Sequence, residues 1–239
     1  VHLLTGIPDH AAHTVAVLDA GKHCACTVPM ATTLSEIRDI CAAVRRSGKH
    51  YMMMETTLYT YQFFYVKQMI ESGELGKIQF MRGSHYQDMS NWPDYWLGLP
   101  PMWYGTHAIG PMVALSGSRI KRVVCFGSGT MDESKHVQYG NPYPVESALF
   151  EFENGLKGEA TRTLFETARL YQEGLFVYGS KKSFENMREQ YRERFFSGEK
   201  CVFLTWKDAM KMYSFNIASG ILTNSASQHN PVRFCEKVA

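Results

Sequence analysis

Hydrophobic and polar residues change rhythm along this chain near residue 55. Before that point, short apolar runs alternate with segments whose apolar residues recur every three or four positions. Val1 to Ile7 is such a run, and Pro8 ends it. Ala12, Val15, Ala16 and Leu18 predict the inner face of a helix starting near His10, with Asp9 placed to cap it. Gly21 suits the left-handed position just past that helix. His23 to Val28 is short, small and uncharged, as in a buried strand, and Pro29 stops it because proline has no N–H for a ladder. Thr33 and Glu36 form a capping box. Leu34, Ile37, Ile40, Cys41 and Val44 give the next inner stripe, and Gly48 closes that helix after Arg45 and Arg46. Tyr51 to Met54 reads as a third apolar strand, with the methionines in its core. Strands joined by crossing helices at this spacing predict half of a doubly wound parallel sheet.

Beyond Glu55 the pattern is of a different kind. Tyr61 to Ser72 predicts a helix closed by Gly73, and Lys77 to Gln87 a strand in which Ile78, Phe80, Arg82 and Ser84 alternate with Gln79, Met81, Gly83 and His85. A loop rich in Trp and Pro leads to a helix at Thr106 to Leu115. Strands are expected at Ile120–Phe126, Glu146–Phe152, Leu156–Arg162 and Gly174–Tyr178, with a hairpin turn at Asn154-Gly155. The fold class is therefore α/β: residues 1–55 form part of a parallel sheet, and residues 56–239 an α+β unit with an open, mostly antiparallel sheet. After about residue 186 the signal weakens. Met187 to Phe196 and Lys207 to Phe215 are expected as helices, and the last two dozen residues carry no pattern.

Composition narrows the function classes. The chain has 239 residues, 45% hydrophobic and 20% charged, enough for a real core. A net charge of +2 argues against nucleic acid or an anionic membrane as partner. No apolar run approaches the roughly 20 residues needed to span a bilayer. Six cysteines without a CxxC pair point to reduced thiols and a cytoplasmic setting. Cys24 and Cys26 share one side of a strand and read as core filling rather than metal ligands, so no metal is expected. The chain opens on Val1 inside an apparent strand, which reads as an N-terminally truncated piece.

Several motifs in order carry a resemblance. IPDH-x-x-H, LDAGKH-x-x-x-x-VP-x-A-TT, an M-x-E strand, SGELGKI and a TH-x-IGP helix together resemble the Gfo/Idh/MocA oxidoreductases, from Val1 to about Glu185. The resemblance implies the C-terminal half of a Rossmann domain followed by a substrate domain whose open sheet forms a homodimer. It also implies NAD or NADP as cofactor and a sugar or cyclic polyol as substrate. Two departures stand out. The family usually carries Glu-Lys-Pro, its lysine positioning substrate and nicotinamide, where this chain has Thr27-Val28-Pro29, and Val28 neither donates nor accepts. A branch with valine there includes enzymes resembling NAD-dependent glycosidases, which oxidise a ring hydroxyl transiently, eliminate the aglycone and restore the hydride. Moreover, no G-x-G-x-x-G opens a helix in the chain.

The same resemblance assigns candidate residues. His107, in Tyr104-Gly105-Thr106-His107, stands where the family commonly has a catalytic histidine, and an imidazole can take a hydroxyl proton as hydride leaves the same carbon. The alternative for His107 is helix capping or packing. Tyr104 and His85 are further catalytic candidates. In the glycosidase-like branch a tyrosine and a histidine replace His85 and Gln87. Pro8, Asp9, His10, Thr27, Val28, Pro29 and Glu55 are the expected cofactor contacts, Glu55 having a structural ion pair as its rival role. Tyr86, Gln87, Asp88 and Trp103 are the expected substrate contacts, with turn formation the rival for Asp88 and core closure for the tryptophans. Three functions remain open: an NAD(P)-dependent oxidoreductase on a sugar-like substrate, a glycoside-cleaving enzyme, and a non-catalytic binding or dimerisation relative.

Overall fold

The computed structural model describes residues 1–90, 92–136, 138–167, 171–189 and 232–236. Three parallel strands open the chain, β1 (His2–Leu3), β2 (Cys24–Cys26) and β3 (Tyr51–Met53), hydrogen-bonded in that order. Two helices cross between them, α1 (His10–Asp19) and α2 (Leu34–Ser47). Cys24 and Cys26 pack with Leu3, Leu18 and Ala43 beneath these helices, and burial pushes the Cys26 thiol up to about 11. Both are core residues, and Cys26 is inert, since a thiol that holds its proton is a poor nucleophile.

Local detail departs from the sequence reading at several points. β1 is shorter than the apolar run, because Leu4 is 75% exposed and Ile7–Asp9 curls into a 3-10 turn at Pro8. Asp9 precedes α1 but makes no side-chain capping bond. The buried face of α1 is His10, Ala11, Thr14 and Leu18, leaving Ala12 and Ala16 outside. The Thr33–Glu36 box closes as expected: the Glu36 amide donates to Thr33 Oγ1 at 3.2 Å, and the Thr33 amide to Glu36 Oε2 at 3.0 Å. Leu34, by contrast, is exposed, since the first turn of α2 overhangs the core. Met52 is exposed too, because alternation turns it away from the packed face of β3.

The second sheet has seven described strands. After α3 (Tyr61–Glu71) come β4 (Ile78–Gln87), α4 (Thr106–Ser116), β5 (Ile120–Ser128), β6 (Val145–Phe152), β7 (Lys157–Thr163), β8 (Tyr171–Gly179), β9 (Lys182–Glu189) and β10 (Val232–Glu236). Their order is β10-β9-β8-β4-β7-β6-β5. β4 runs parallel to β7, and every other neighbouring pair is antiparallel. Gly155, at φ +86°, makes the turn between β6 and β7. The helix expected from Met187 is corrected at its start: Met187 to Glu189 end β9, paired with Gly174, Glu173 and Gln172 of β8. Residues 190–196 and the expected helix at Lys207 to Phe215 lie outside the described residues. No described helix is long and apolar enough to cross a membrane.

α4 sits unusually close to the sheet. A Cβ on Gly83 would fall 2.0 Å from the Ala108 carbonyl oxygen, so only glycine lets β4 carry the helix there. Met81, Ala108, Met112, Ala148, Phe150, Phe152 and Ala160 fill the layer between them. A second cluster gathers Trp96, Leu99, Met131, Leu164 and Phe165 around Ile7, tying the first fifty residues to the Trp-rich loop.

Candidate active site

Residues from both sheets meet where β3 ends. Glu55 follows β3, and its backbone N–H donates to the Met53 carbonyl in a tight turn. Its Oε1 accepts from the Thr57 amide at 3.0 Å and the Thr57 hydroxyl at 2.8 Å, which fixes the carboxylate. His107 lies in the first turn of α4 and meets the same oxygen through Nδ1 at 2.6 Å. A carboxylate only accepts, so Nδ1 carries the proton and Nε2 presents its lone pair. Tyr104 reaches that lone pair with its hydroxyl at 3.3 Å, a long contact that a substrate hydroxyl can displace.

The electrostatics follow from burial. Glu55 is 1% exposed, and desolvation alone would raise its carboxyl. The hydrogen bond and charge of His107, with the Thr57 amide, outweigh it and hold Glu55 below the usual carboxylate range. Burial raises the Tyr104 phenol and Arg162 offsets only part of this, so Tyr104 remains a hydroxyl donor. His85 is buried on β4, its ring 5.0 Å from that of His107. Burial, then the charges of Arg162 and His107, push His85 far down, so its imidazole is neutral. Neither of its ring nitrogens has a hydrogen-bond partner among the described residues.

Arg162 underlies this group. It is fully buried on β7, donating to the carbonyls of Tyr104 (3.1 Å), His85 (3.0 Å) and Thr163 (2.8 Å) and to Gln87 Oε1 (3.1 Å). Its guanidinium carbon also stands 5.1 Å from the centre of the Tyr104 ring. Burial lowers it to about 9, which leaves it cationic at neutral pH. The register explains the gathering: Glu173 of β8, His85 of β4, Arg162 of β7 and Glu146 of β6 are successive partners in one row across the sheet. Sequence reasoning missed Arg162 and Glu173. For Arg162 a signal existed, since it shares the phase of Gly158 and Ala160, the inward residues of its strand.

The expected site residues divide by place. His107, Tyr104, His85, Glu55 and Gln87 converge, though Gln87 is engaged by Arg162. Alternation puts Tyr86 on the other face of β4, and Asp88 accepts from the Ser90 amide in a turn. Trp103 is exposed and edges Tyr139, whereas Trp96 is buried against the Tyr104 ring at 4.8 Å. At the ends of β1 and β2, Pro8 and Asp9 are exposed, Thr27 is half-buried and Val28 and Pro29 are buried. His10 faces inward, with Nδ1 2.7 Å from the Pro29 carbonyl and Nε2 3.3 Å from the Thr27 hydroxyl. It braces the Thr27–Pro29 segment against α1.

The sequence model of the GFO/IDH/MocA C-terminal domain matches residues 63–185. A "Glycosyl hydrolase family 109 protein 1" of Bacteroides thetaiotaomicron is 26% identical over 180 residues, 70% of this chain and 37% of its own length. The chain thus spans well under half of that curated relative. An inositol dehydrogenase homolog from Azotobacter vinelandii, solved with NAD+, superposes with a TM-score of 0.67 at 21% identity, over 81% of this chain and 55% of that one. A levoglucosan dehydrogenase solved with NADH and levoglucosan gives a TM-score of 0.66 at 24% identity, over 79% and 56% of the two chains. These similarities in structure establish a shared fold.

Proposed function

The chain belongs to the Gfo/Idh/MocA oxidoreductase family, and from that membership we propose that it takes part in NAD(P)-linked hydride transfer at a carbinol carbon of a sugar or cyclic polyol. The observation that supports this most is the Glu55–His107 pair, a buried carboxylate orienting an imidazole whose Nε2 faces away from it. A nicotinamide dinucleotide, when bound, supplies the hydride acceptor. The strand ends suit its nicotinamide end: Glu55 Oε2 is buried without a hydrogen-bond partner among the described residues, and Thr27, Val28, Pro29, Pro8 and Asp9 border the ends of β1 and β2. In this reading residues 1–55 serve the cofactor and residues 56–239 the substrate.

His107 takes the hydroxyl proton at Nε2 while Glu55 stabilises the imidazolium that forms. Tyr104 yields its contact with Nε2 to the substrate hydroxyl and then donates to the same oxygen. His85, neutral and uncommitted, offers a donor and an acceptor to a neighbouring hydroxyl. Val28 contributes only hydrocarbon, so the oxygen is polarised from the Tyr104 and His85 side. The sheet face at β5 and β6 pairs two copies.

The test is turnover of NAD and NADP with a panel of polyols and monosaccharides. Replacing His107 by Gln should lower kcat about 10²- to 10⁴-fold, the worth of a positioned acid–base, with cofactor affinity unchanged. Equal rates in wild type and His107→Gln would overturn the role.

A second reading, glycoside cleavage through transient ring oxidation, is favoured by the family 109 relative and by Val28. Cleavage of an aryl glycoside without net NADH would select it. If neither NAD nor NADP raises the melting temperature of a stable dimer, a non-catalytic binding role is left.

A further inference from the structure

One ligand atom each from His85, His107 and Glu173 lies within 4.8 Å of the other two. Their chemistry, two imidazoles and one carboxylate, is that of the three-ligand zinc and iron sites that keep further positions open. Two independent features point to an ion. His85 is 2% exposed, and neither of its nitrogens has a hydrogen-bond partner among the described residues, a cost that a bond to a cation removes. Glu55 holds His107 through Nδ1, the carboxylate–histidine arrangement that orients imidazoles on metals and raises their basicity. Tyr171 likewise donates to Glu173 and steadies its carboxylate.

We propose that His85, His107 and Glu173 form a binding site for a single divalent transition-metal ion of the zinc class. With Nδ1 committed to Glu55, His107 binds through Nε2. Ligands on a four-coordinate ion with bonds of about 2.1 Å stand roughly 3.4 Å apart, so separations of up to 4.8 Å close by about 1.4 Å at most, through side-chain rotation. Arg162 is the register partner of His85 and Arg188 that of Glu173, and the hydrogen bonds of Arg162 go to three carbonyls and Gln87 rather than to the three ligand atoms. The ion takes the lone pair that, in the reading given under Proposed function, accepts the substrate proton. Metal binding and turnover therefore exclude one another, and the site is inhibitory.

Cobalt(II) titration of the purified protein, followed in the visible region, tests binding without substrate or nicotinamide. The expected result is a ligand-field band saturating at one ion per chain and displaced by zinc. His85→Gln and Glu173→Gln should each weaken binding about tenfold or more, and Glu55→Gln about 10- to 100-fold although it keeps all three ligands. Circular dichroism checks that each variant is folded; if His85→Gln is not, Glu173→Gln decides. No band at millimolar cobalt overturns the proposal, as does a band unchanged in Glu173→Gln or one with the near-ultraviolet charge transfer of thiolate ligation. Zinc inhibition of turnover is a separate arm: if cobalt binds as described but zinc does not inhibit, the site stands and the role of His107 as base fails.

Discussion

Glu55 owes its ionised state in a buried place to His107. The folded pKa of Glu55 lies below its unfolded value, so the stability it contributes is complete above the ordinary carboxylate range. That stability is lost as pH falls through the lowered value. Wild-type protein should therefore lose thermal midpoint on acidification below about pH 5. Glu55→Gln should start lower at neutral pH and show a shallower acid limb, measured by calorimetry across the range. Parallel acid limbs in the two proteins would remove Glu55 from this account. At this scale the sequence told the chemistry of single residues but not their neighbours. His107 was singled out by a motif, Tyr104 by standing three residues before it and His85 by its place near a strand end, whereas Arg162 was only the last residue of an expected strand until its register set it between His85 and Glu146.

Elements were easier to read than sites, for physical reasons that differ by element. α2 announced both ends, with a capping box at Thr33 and a left-handed Gly48 at φ +65°. The β6–β7 hairpin was marked by Asn154-Gly155. β9 was not, because polar residues such as Lys182, Ser183, Glu185 and Asn186 imitate a helical surface when pairing with β8 cannot be seen. The most consequential element contact was equally invisible, since nothing in a strand sequence says that a helix carbonyl rests on its glycine. Gly83→Ala should force α4 away from β4 and cost about 1–3 kcal/mol, as overpacking does. Urea denaturation would read the loss. Because α4 carries His107, the substitution should also lower turnover, and an unaltered midpoint would show that the contact yields freely.

For the whole molecule, the sheet ends in a strand exposed on both faces. Val124 and Phe126 on β5 and Leu149 on β6 are 52%, 69% and 56% exposed and share one face by register. The Arg122–Glu151–Lys157 ion cluster bounds the patch on that face. Apolar surface grouped in this way marks a contact site. Phe126→Glu should turn a dimer into a monomer in light scattering, with the melting temperature then depending less on protein concentration. A wild-type monomer at tens of micromolar concentration would end this expectation.

The place of β4 in the sheet has a consequence for biosynthesis. Its two neighbours, β7 and β8, are made about eighty to ninety residues after it. While the chain is growing, β4 leaves the ribosome with both hydrogen-bonding edges bare and must wait for partners that have not been translated. Closing such long loops is slow, and an unpaired strand invites aggregation meanwhile. Nascent chains halted before β7 should for that reason be held by chaperones, and release should follow completion of β8.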